Sequence, residues 1–205
     1  MRIAKTLTGC ASAVLMLAGA GAAMAQDATT ASREASRQSR NDGPVSCIGG
    51  AIPRSVDRDV LATVVLKGFQ AENSDEQRVM AAIGRAVAQC RGRYGWGDAR
   101  QAAATAYFRG STMRSNAAYR LRDYGVHWWQ FDTALATVAE EDRQKLMSSG
   151  SMSGATMTAA ARALESEGAA FGTPTPEQLG VIGPAIAQGL AGTIIVDQAK
   201  AEYNQ

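Results

Sequence analysis

Apolar residues recur at helical spacing along most of the chain that follows residue 47. The clearest stripe consists of Val79, Met80, Ile83, Val87 and Cys90. Spacing of about three to four positions places residues on one face of an α-helix, whereas strict alternation would indicate a strand. No segment of the sequence alternates in that way, and no repeat of fixed length occurs. The pattern predicts an all-α fold, a single compact bundle-like domain of about five to seven helices over residues 47–205.

Capping residues indicate where several of these helices begin. Ser74 and Asp98 each have a glutamine at the third following position, which is the spacing of a capping box. Thr175 has the same spacing and also stands before Pro176, a residue that fits the first position of a helix. We therefore expect N-caps at all three positions. The Gly-Ser pair at residues 110–111 predicts a break or a bend.

Two later segments are also expected to be helical. One helix is predicted to begin near His127 and to run into the acidic residues 140–142. The other spans residues 179–196, where Gln188 is the only strongly polar side chain. That run is near the lower length limit of a transmembrane helix, contains several Gly and Pro residues, and has no excess of basic residues after it. We expect a buried helix kinked at Pro184, with a membrane span as the alternative.

The N-terminus has the pattern of a secretory signal peptide over residues 1–25. Arg2 and Lys5 form a short basic region, a stretch rich in Ala and Leu follows, and Ala-Met-Ala at residues 23–25 is a typical cleavage site. Lipoprotein processing at Cys10 is disfavoured because the apolar stretch continues well beyond that residue. The sequence therefore predicts a periplasmic or secreted protein.

Residues 26–46 are small and polar, and they contain no apolar run that a core could bury. We expect them to form a disordered leader. Removal of the signal also removes Arg2 and Lys5, so 21 minus 2 basic residues leaves 19, equal to the 19 acidic residues. A formally neutral chain gives no reason to expect a nucleic-acid partner, because such binding needs a positive field.

Cys47 and Cys90 are the cysteines that remain after signal cleavage. A cysteine pair in an exported protein predicts a disulfide, with two buried free thiols as the alternative. The wide separation of the two residues, without further Cys or His ligands at short spacing, does not resemble a metal site. We therefore expect a Cys47–Cys90 disulfide and no metal.

Candidate catalytic residues are few. His127, the only histidine, stands before two tryptophans, and no nucleophile motif accompanies it, so we expect a packing role. The nearest approach to a carboxylate cluster is formed by Asp132, Glu140, Glu141 and Asp142. A solvated helix face explains these acids without catalysis. Phosphate-binding loops, dinucleotide fingerprints and calcium loops are absent from the sequence, so no catalytic residue and no cofactor is predicted.

Arginine is concentrated between residues 85 and 123. This segment contains Arg85, Arg91, Arg93, Arg100, Arg109, Arg114, Arg120 and Arg122, against only Asp98 and Asp123. A guanidinium presents a planar fork that suits carboxylate and phosphate groups. The residues predicted to form a surface for an anionic partner are Arg91, Arg93, Arg100, Tyr94 and Trp96. A solvated helical face is the alternative interpretation.

These patterns together favour an exported, non-enzymatic helical domain that binds or scaffolds a component of the cell envelope. The anionic partner would be a lipid headgroup, a cell-wall polymer or an acidic protein. Two alternatives stay open at this stage. One is a small cell-wall hydrolase that uses carboxylates, and the other is a membrane-associated protein that uses residues 179–196.

Overall fold

The computed structural model describes residues 43–205, so the predicted signal and most of the predicted leader lie outside the described residues. Within this range the all-α prediction is confirmed, because eight α-helices and no strand are present. The helices are α1 Cys47–Ala51, α2 Arg58–Leu66, α3 Ser74–Tyr94, α4 Asp98–Arg120, α5 Gln130–Ala136, α6 Glu140–Ser149, α7 Gly154–Ser166 and α8 Pro176–Tyr203. Two short 3-10 helices, Gly43–Ser46 and Arg122–Tyr124, are also present.

The last four residues of the expected disordered leader form the 3-10 helix Gly43–Ser46. Val45 explains this, because its side chain is buried in the apolar cluster that joins α1–α3 to α4 and α8. A single valine among small polar residues gives no periodic signal in the sequence. The helix count exceeds the expected range because short helices such as α1 leave no clear stripe.

Helices α4 and α8 form the centre of the domain and run antiparallel. Their contacts proceed from Trp96 and Tyr203 at one end, through Gly110 and Gly192, to Gln188 beside the carbonyl of Met113. The remaining helices pack around this pair in two apolar clusters. One cluster joins α1–α3 to the first half of α4 and the end of α8, and the other joins α5–α7 to the rest.

Gly110 does not break α4, which continues without interruption from Asp98 to Arg120. A glycine is required at position 110 because α4 and α8 cross there. A Cβ atom on Gly110 would lie 2.6 Å from the carbonyl oxygen of Gly192, and a Cβ on Gly192 would lie 2.6 Å from the carbonyl oxygen of Gly110. Each glycine therefore allows the backbones to approach, and neither acts as a helix terminator.

The predicted caps are partly correct. Thr175 forms a full capping box with Gln178, and Pro176 is the first residue of α8, as the sequence indicates. The cap of α3 is instead Asn73, whose side chain accepts hydrogen bonds from the N–H groups of Asp75 and Glu76. At α4 the cap position is occupied by glycine, one residue before Asp98, and no side chain caps the helix.

The segment expected to form one helix from His127 into the acidic residues is divided into α5 and α6. Helix α5 ends at Ala136, and α6 begins only at Glu140. The Arg143 side chain explains this end, because it donates hydrogen bonds to the carbonyls of Leu135 and Val138. Because the guanidinium donates to these carbonyls, they do not need the backbone N–H groups that a further helical turn would supply.

The predicted disulfide is confirmed: Cys47 and Cys90 are bonded, with their Cα atoms 5.9 Å apart. It attaches the start of α1 to the last turns of α3, where Cys90 is fully buried. The covalent bond therefore holds the end of α3 against the domain immediately before the arginine-rich turn.

Helix α8 is the one helix in residues 43–205 that is long and apolar enough to cross a membrane, by length and composition alone. Half of its apolar window is buried inside the protein, mainly against α4. The helix continues through Pro184 without interruption. Core helices of globular proteins have the same composition, and the packing of α8 is that of a core helix.

Candidate functional site

The predicted anion-binding residues lie where α3 ends and α4 begins. Helix α3 closes on Gly95, which has a positive φ of 62° and donates its N–H to the carbonyl of Arg91. Glycine adopts this left-handed conformation without the strain that a side chain would bring. Trp96 also donates its N–H to the Arg91 carbonyl, over 3.2 Å. The turn thus directs Trp96 inward and leaves Tyr94 outside.

Three aromatic rings meet at this turn. Trp96 is only 3% exposed, and its indole N–H donates to the hydroxyl of Tyr203 over 2.7 Å. The Trp96 and Tyr203 rings meet edge to face, while Tyr94 stacks on Trp96 with 6.0 Å between centroids. Trp96 was predicted to contact a partner, but solvent does not reach it. Its role here is to support the two tyrosines, which fix the position of the surface.

The arginines of this turn occupy two different environments. Arg93 lies over the Tyr94 ring, 5.4 Å from its centroid, and Arg100 lies 5.9 Å from the centroid of Tyr203. Arg91 instead pairs with Asp98 at 3.0 Å and donates to Gln101 at 2.8 Å. The charge of Arg91 is therefore partly neutralised.

We call this group the Arg–Tyr surface, and it consists of Arg91, Arg93, Tyr94, Arg100 and Tyr203, with Trp96 beneath. The structure brings all five predicted residues to one end of the domain. Tyr203 was not predicted, because it lies near the C-terminus and no local pattern links it to Trp96.

The other arginines of the segment do not extend this surface. Arg114 is buried, with a 2.9 Å ion pair to Asp132 and the face of Trp128 4.5 Å away. Arg122 lies over the Tyr119 ring at the opposite end of α4. Tyr119 is about 28 Å along the helix axis from Arg100, at a rise of about 1.5 Å per residue. Arg114 is therefore a buried cation, and Arg122 belongs to a separate surface.

The acidic residues are engaged in structural contacts. Asp142 is buried and accepts hydrogen bonds from Thr156 and Ser153 at the start of α7, and the Thr156 bond is the main cause that lowers the pKa of its carboxyl. Glu141 pairs with Lys145 at 2.7 Å within α6. Glu141 lies on a solvated helix face as expected, whereas Asp142 does not, because its carboxylate is buried against the start of α7.

Asp132 is the acid with the least ordinary environment. Partial burial raises the pKa of its carboxyl, the neighbouring Arg114 opposes that shift, and the charge of Asp197 adds to it. Asp197 also lines a cleft of about 270 Å³ together with Glu140. Glycoside hydrolysis requires two carboxylates in different environments on either side of the scissile bond. Asp132 is not among the residues that line this cleft.

His127 is exposed, and its ring stacks on that of Trp129 with 6.0 Å between centroids. No nucleophile with a hydrogen bond to its side chain occurs in the described part of the chain. Residues 43–205 also contain no group of three or more His, Cys, Asp or Glu side chains that could hold a metal ion.

Comparison with known proteins finds no family model that matches the chain, and no curated protein or solved structure with significant similarity to it. Function must therefore be argued from the geometry of the described residues.

Proposed function

We propose that this protein is an exported, non-enzymatic helical domain that binds an anionic component of the cell envelope through the Arg–Tyr surface. The observation that carries the proposal is that Arg93 and Arg100 lie over tyrosine rings and form no ion pair with any residue in 43–205. A guanidinium stacked on a ring keeps its N–H donors at its edge, where a carboxylate or phosphate can reach them. The aromatic faces also restrict the arginine side chains before binding.

The disulfide supports the location that this proposal requires. Disulfides form and persist in oxidising compartments and are rare in the cytosol. The Cys47–Cys90 bond therefore agrees with export, and the predicted signal at residues 1–25 gives the route. A periplasmic or secreted location follows as part of the proposal, with envelope lipids and cell-wall polymers as the anionic material within reach.

Cell-wall hydrolysis is the second candidate function, and the environment of Asp132 is what favours it. Against it, the Asp132 carboxylate already accepts a hydrogen bond from buried Arg114, which ties it to packing. Membrane association through α8 has less support, because that helix packs as the central core helix of the domain.

Binding can be measured by sedimentation of the purified protein with vesicles of phosphatidylglycerol in phosphatidylcholine and, separately, with cell-wall sacculi. We expect retention on at least one of these, decreasing with salt, because the Debye length falls from about 10 Å at 0.1 M to about 3 Å at 1 M. Replacing both cations, Arg93→Gln with Arg100→Gln, should abolish most of the retention. Pure phosphatidylcholine vesicles should retain little protein.

The matched control is the double variant Arg54→Gln with Arg162→Gln. Both arginines are exposed and lie outside the Arg–Tyr surface, and the change in net charge is the same. Retention that survives in the Arg93/Arg100 variant, or that falls equally in the control, would exclude this surface as the binding site. Soluble fragments released from sacculi by the protein, and not by an Asp132→Asn variant, would favour the hydrolase.

A further inference from the structure

A second cleft lies between α1, α2 and the middle of α4, away from the Arg–Tyr surface. It has a volume of about 320 Å³ and is lined on its polar side by Arg58, Ser111, Thr112, Ser115 and Asn116, with Phe108 on its apolar side. Small-molecule sites have volumes of roughly 300–1,000 Å³, so this cleft has room for a ligand of the smallest class.

The polar wall of the cleft follows from the register of α4. Ser111, Thr112 and Ser115 fall on one face of the helix, because positions three and four apart lie above one another. The buried Phe108 precedes them on the same face, one turn earlier. Hydroxyls and an apolar ring are thus presented side by side to the same space.

The hydroxyls of Ser111, Thr112 and Ser115 form no hydrogen bond with any residue in 43–205, and Ser115 is exposed to solvent. Elsewhere in the helices a threonine hydroxyl donates to the carbonyl four residues earlier, as Thr105 does to Gln101 and Thr193 to Gly189. Such back-bonding is the usual way in which a helical hydroxyl is satisfied. Ser111 does not do this: its Oγ is buried and is the one buried side-chain N or O atom in residues 43–205 without a hydrogen-bond partner. An unpaired buried hydroxyl is destabilising, so rotation of the Ser111 side chain to place its Oγ against a partner in the cleft would be favourable.

Asn116 adds a hydrogen-bond donor to this wall. Its side-chain oxygen already accepts a hydrogen bond from Gln188 over 3.0 Å. The amide NH₂ of Asn116 is therefore the part left to donate. Hydroxyls can donate and accept, whereas the NH₂ group of Asn116 can only donate, and this combination matches a ligand with several hydroxyl groups.

One arginine, Arg58, lines the cleft, and a second arginine shares its aromatic neighbour. Arg58 lies with its guanidinium 5.3 Å from the centroid of the Tyr119 ring, and Arg122 lies 4.2 Å from the same centroid. Arg122 has Asp123 3.5 Å away, but Arg58 forms no ion pair with any described residue. The neighbouring Asp57 is the N-cap of α2, and its Oδ1 accepts hydrogen bonds from the N–H groups of Asp59 and Val60. The Arg58 fork is therefore open to an anion.

We infer that this cleft binds a small anion that carries several hydroxyl groups, a sugar acid or sugar phosphate in chemical class. The carboxylate or phosphate lies on the Arg58 guanidinium, and the ligand hydroxyls exchange hydrogen bonds with Ser111, Thr112, Ser115 and Asn116. One apolar face of the sugar ring lies against the Phe108 side of the cleft. This site is separate from the Arg–Tyr surface and does not depend on the function proposed for it.

Titration followed by amide chemical shifts tests the inference, using the purified protein produced from the full chain. The probes are D-glucuronate and D-glucose 6-phosphate, with D-glucose and acetate as ligands that lack the charge or the hydroxyls. We expect saturable shifts at the amides of residues 111–116 with at least one anionic sugar, and at least about tenfold weaker binding of glucose and of acetate. No saturable shift with either anionic sugar, or equal binding of glucose, would overturn the inference.

Two variants locate the binding. Ser111→Ala should weaken it about fivefold and Arg58→Gln about tenfold, the ratios expected for one neutral and one charge-assisted hydrogen bond. Ser111→Ala should fold normally, because it removes an unpaired buried hydroxyl. Thr105→Ala and Arg93→Gln serve as controls, since Thr105 is back-bonded and Arg93 belongs to the other surface. Affinity unchanged in both Ser111→Ala and Arg58→Gln, or reduced equally in the controls, would refute the site.

Discussion

Replacing Gly192 with alanine should destabilise the protein, although alanine is ordinarily the better helix former. Gly192 lies where α8 crosses α4, and a Cβ atom there would be 2.6 Å from the carbonyl oxygen of Gly110 and 2.8 Å from the backbone nitrogen of Arg114. Both obstacles are backbone atoms of a long helix. They cannot rotate away as a side chain can, so the two helices must separate.

The size of the effect follows from two opposing contributions. An exposed helical glycine replaced by alanine gains about 1 kcal/mol, whereas an extra methyl group in a tightly packed site costs about 1–3 kcal/mol or more. Because the added Cβ would meet two backbone atoms, the cost at Gly192 is expected at the upper end of that range. We expect a net loss of about 2 kcal/mol, which for a domain of this size lowers the Tm by about 4–8 °C.

Urea denaturation followed by far-UV circular dichroism measures the change, with Gly84→Ala as the matched control. Gly84 lies inside α3, and a Cβ atom there would meet nothing within 4 Å, so that variant should be as stable as the parent or more stable. Combining Gly110→Ala with Gly192→Ala should cost less than the sum of the two, because the helices separate only once. Equal stability of Gly192→Ala and Gly84→Ala would refute the close crossing.

Two further changes test the covalent bond and a buried carboxylate. Replacing Cys47 and Cys90 with alanine should lower the free energy of unfolding by about 4 kcal/mol on the chain-entropy estimate, and urea denaturation that shows no loss would contradict it. The pKa of the Glu76 carboxyl is lowered mainly by a hydrogen bond from the Glu72 N–H and, to a smaller extent, by a hydrogen bond from Lys67. Because the folded pKa lies below the unfolded one, this stabilisation is present above about pH 4.3 and is lost as the pH falls through the folded pKa. Glu76→Gln should therefore be less stable than the parent at neutral pH, and the difference in Tm should disappear at acidic pH. A difference in Tm that does not depend on pH would show that the ionised Glu76 carboxylate does not stabilise the fold.

The sequence predicted those elements whose signals are local. The start of α8 was predicted correctly because Thr175, Pro176 and Gln178 all act within one turn of each other. The disulfide was predictable from the number of cysteines and the expected export. At α3 the cap was displaced by one residue, since Asn73 and Ser74 are both good caps and only the backbone conformation decides between them.

Features that depend on contacts between distant segments were not predictable in this way. Gly110 was interpreted as a break or a bend in the helix, and only the approach of Gly192 shows that it permits a crossing. The five residues predicted to form an anion-binding surface lie together at one turn, but Trp96 is buried beneath the others. The partner that draws Trp96 inward is the Tyr203 hydroxyl, which lies far along the chain.

The two proposed binding sites depend on the same structural feature, the antiparallel pairing of α4 and α8. At one end that pairing places Tyr203 against Trp96, which gives Arg100 a ring to stack on. Further along it places Gln188 against Asn116, which leaves the amide of Asn116 free to donate into the second cleft. The register of both contacts is fixed where the helices come closest. Close packing by glycines at the centre therefore sets the geometry of sites on either side of it, and a change in helix separation there would alter both sites together.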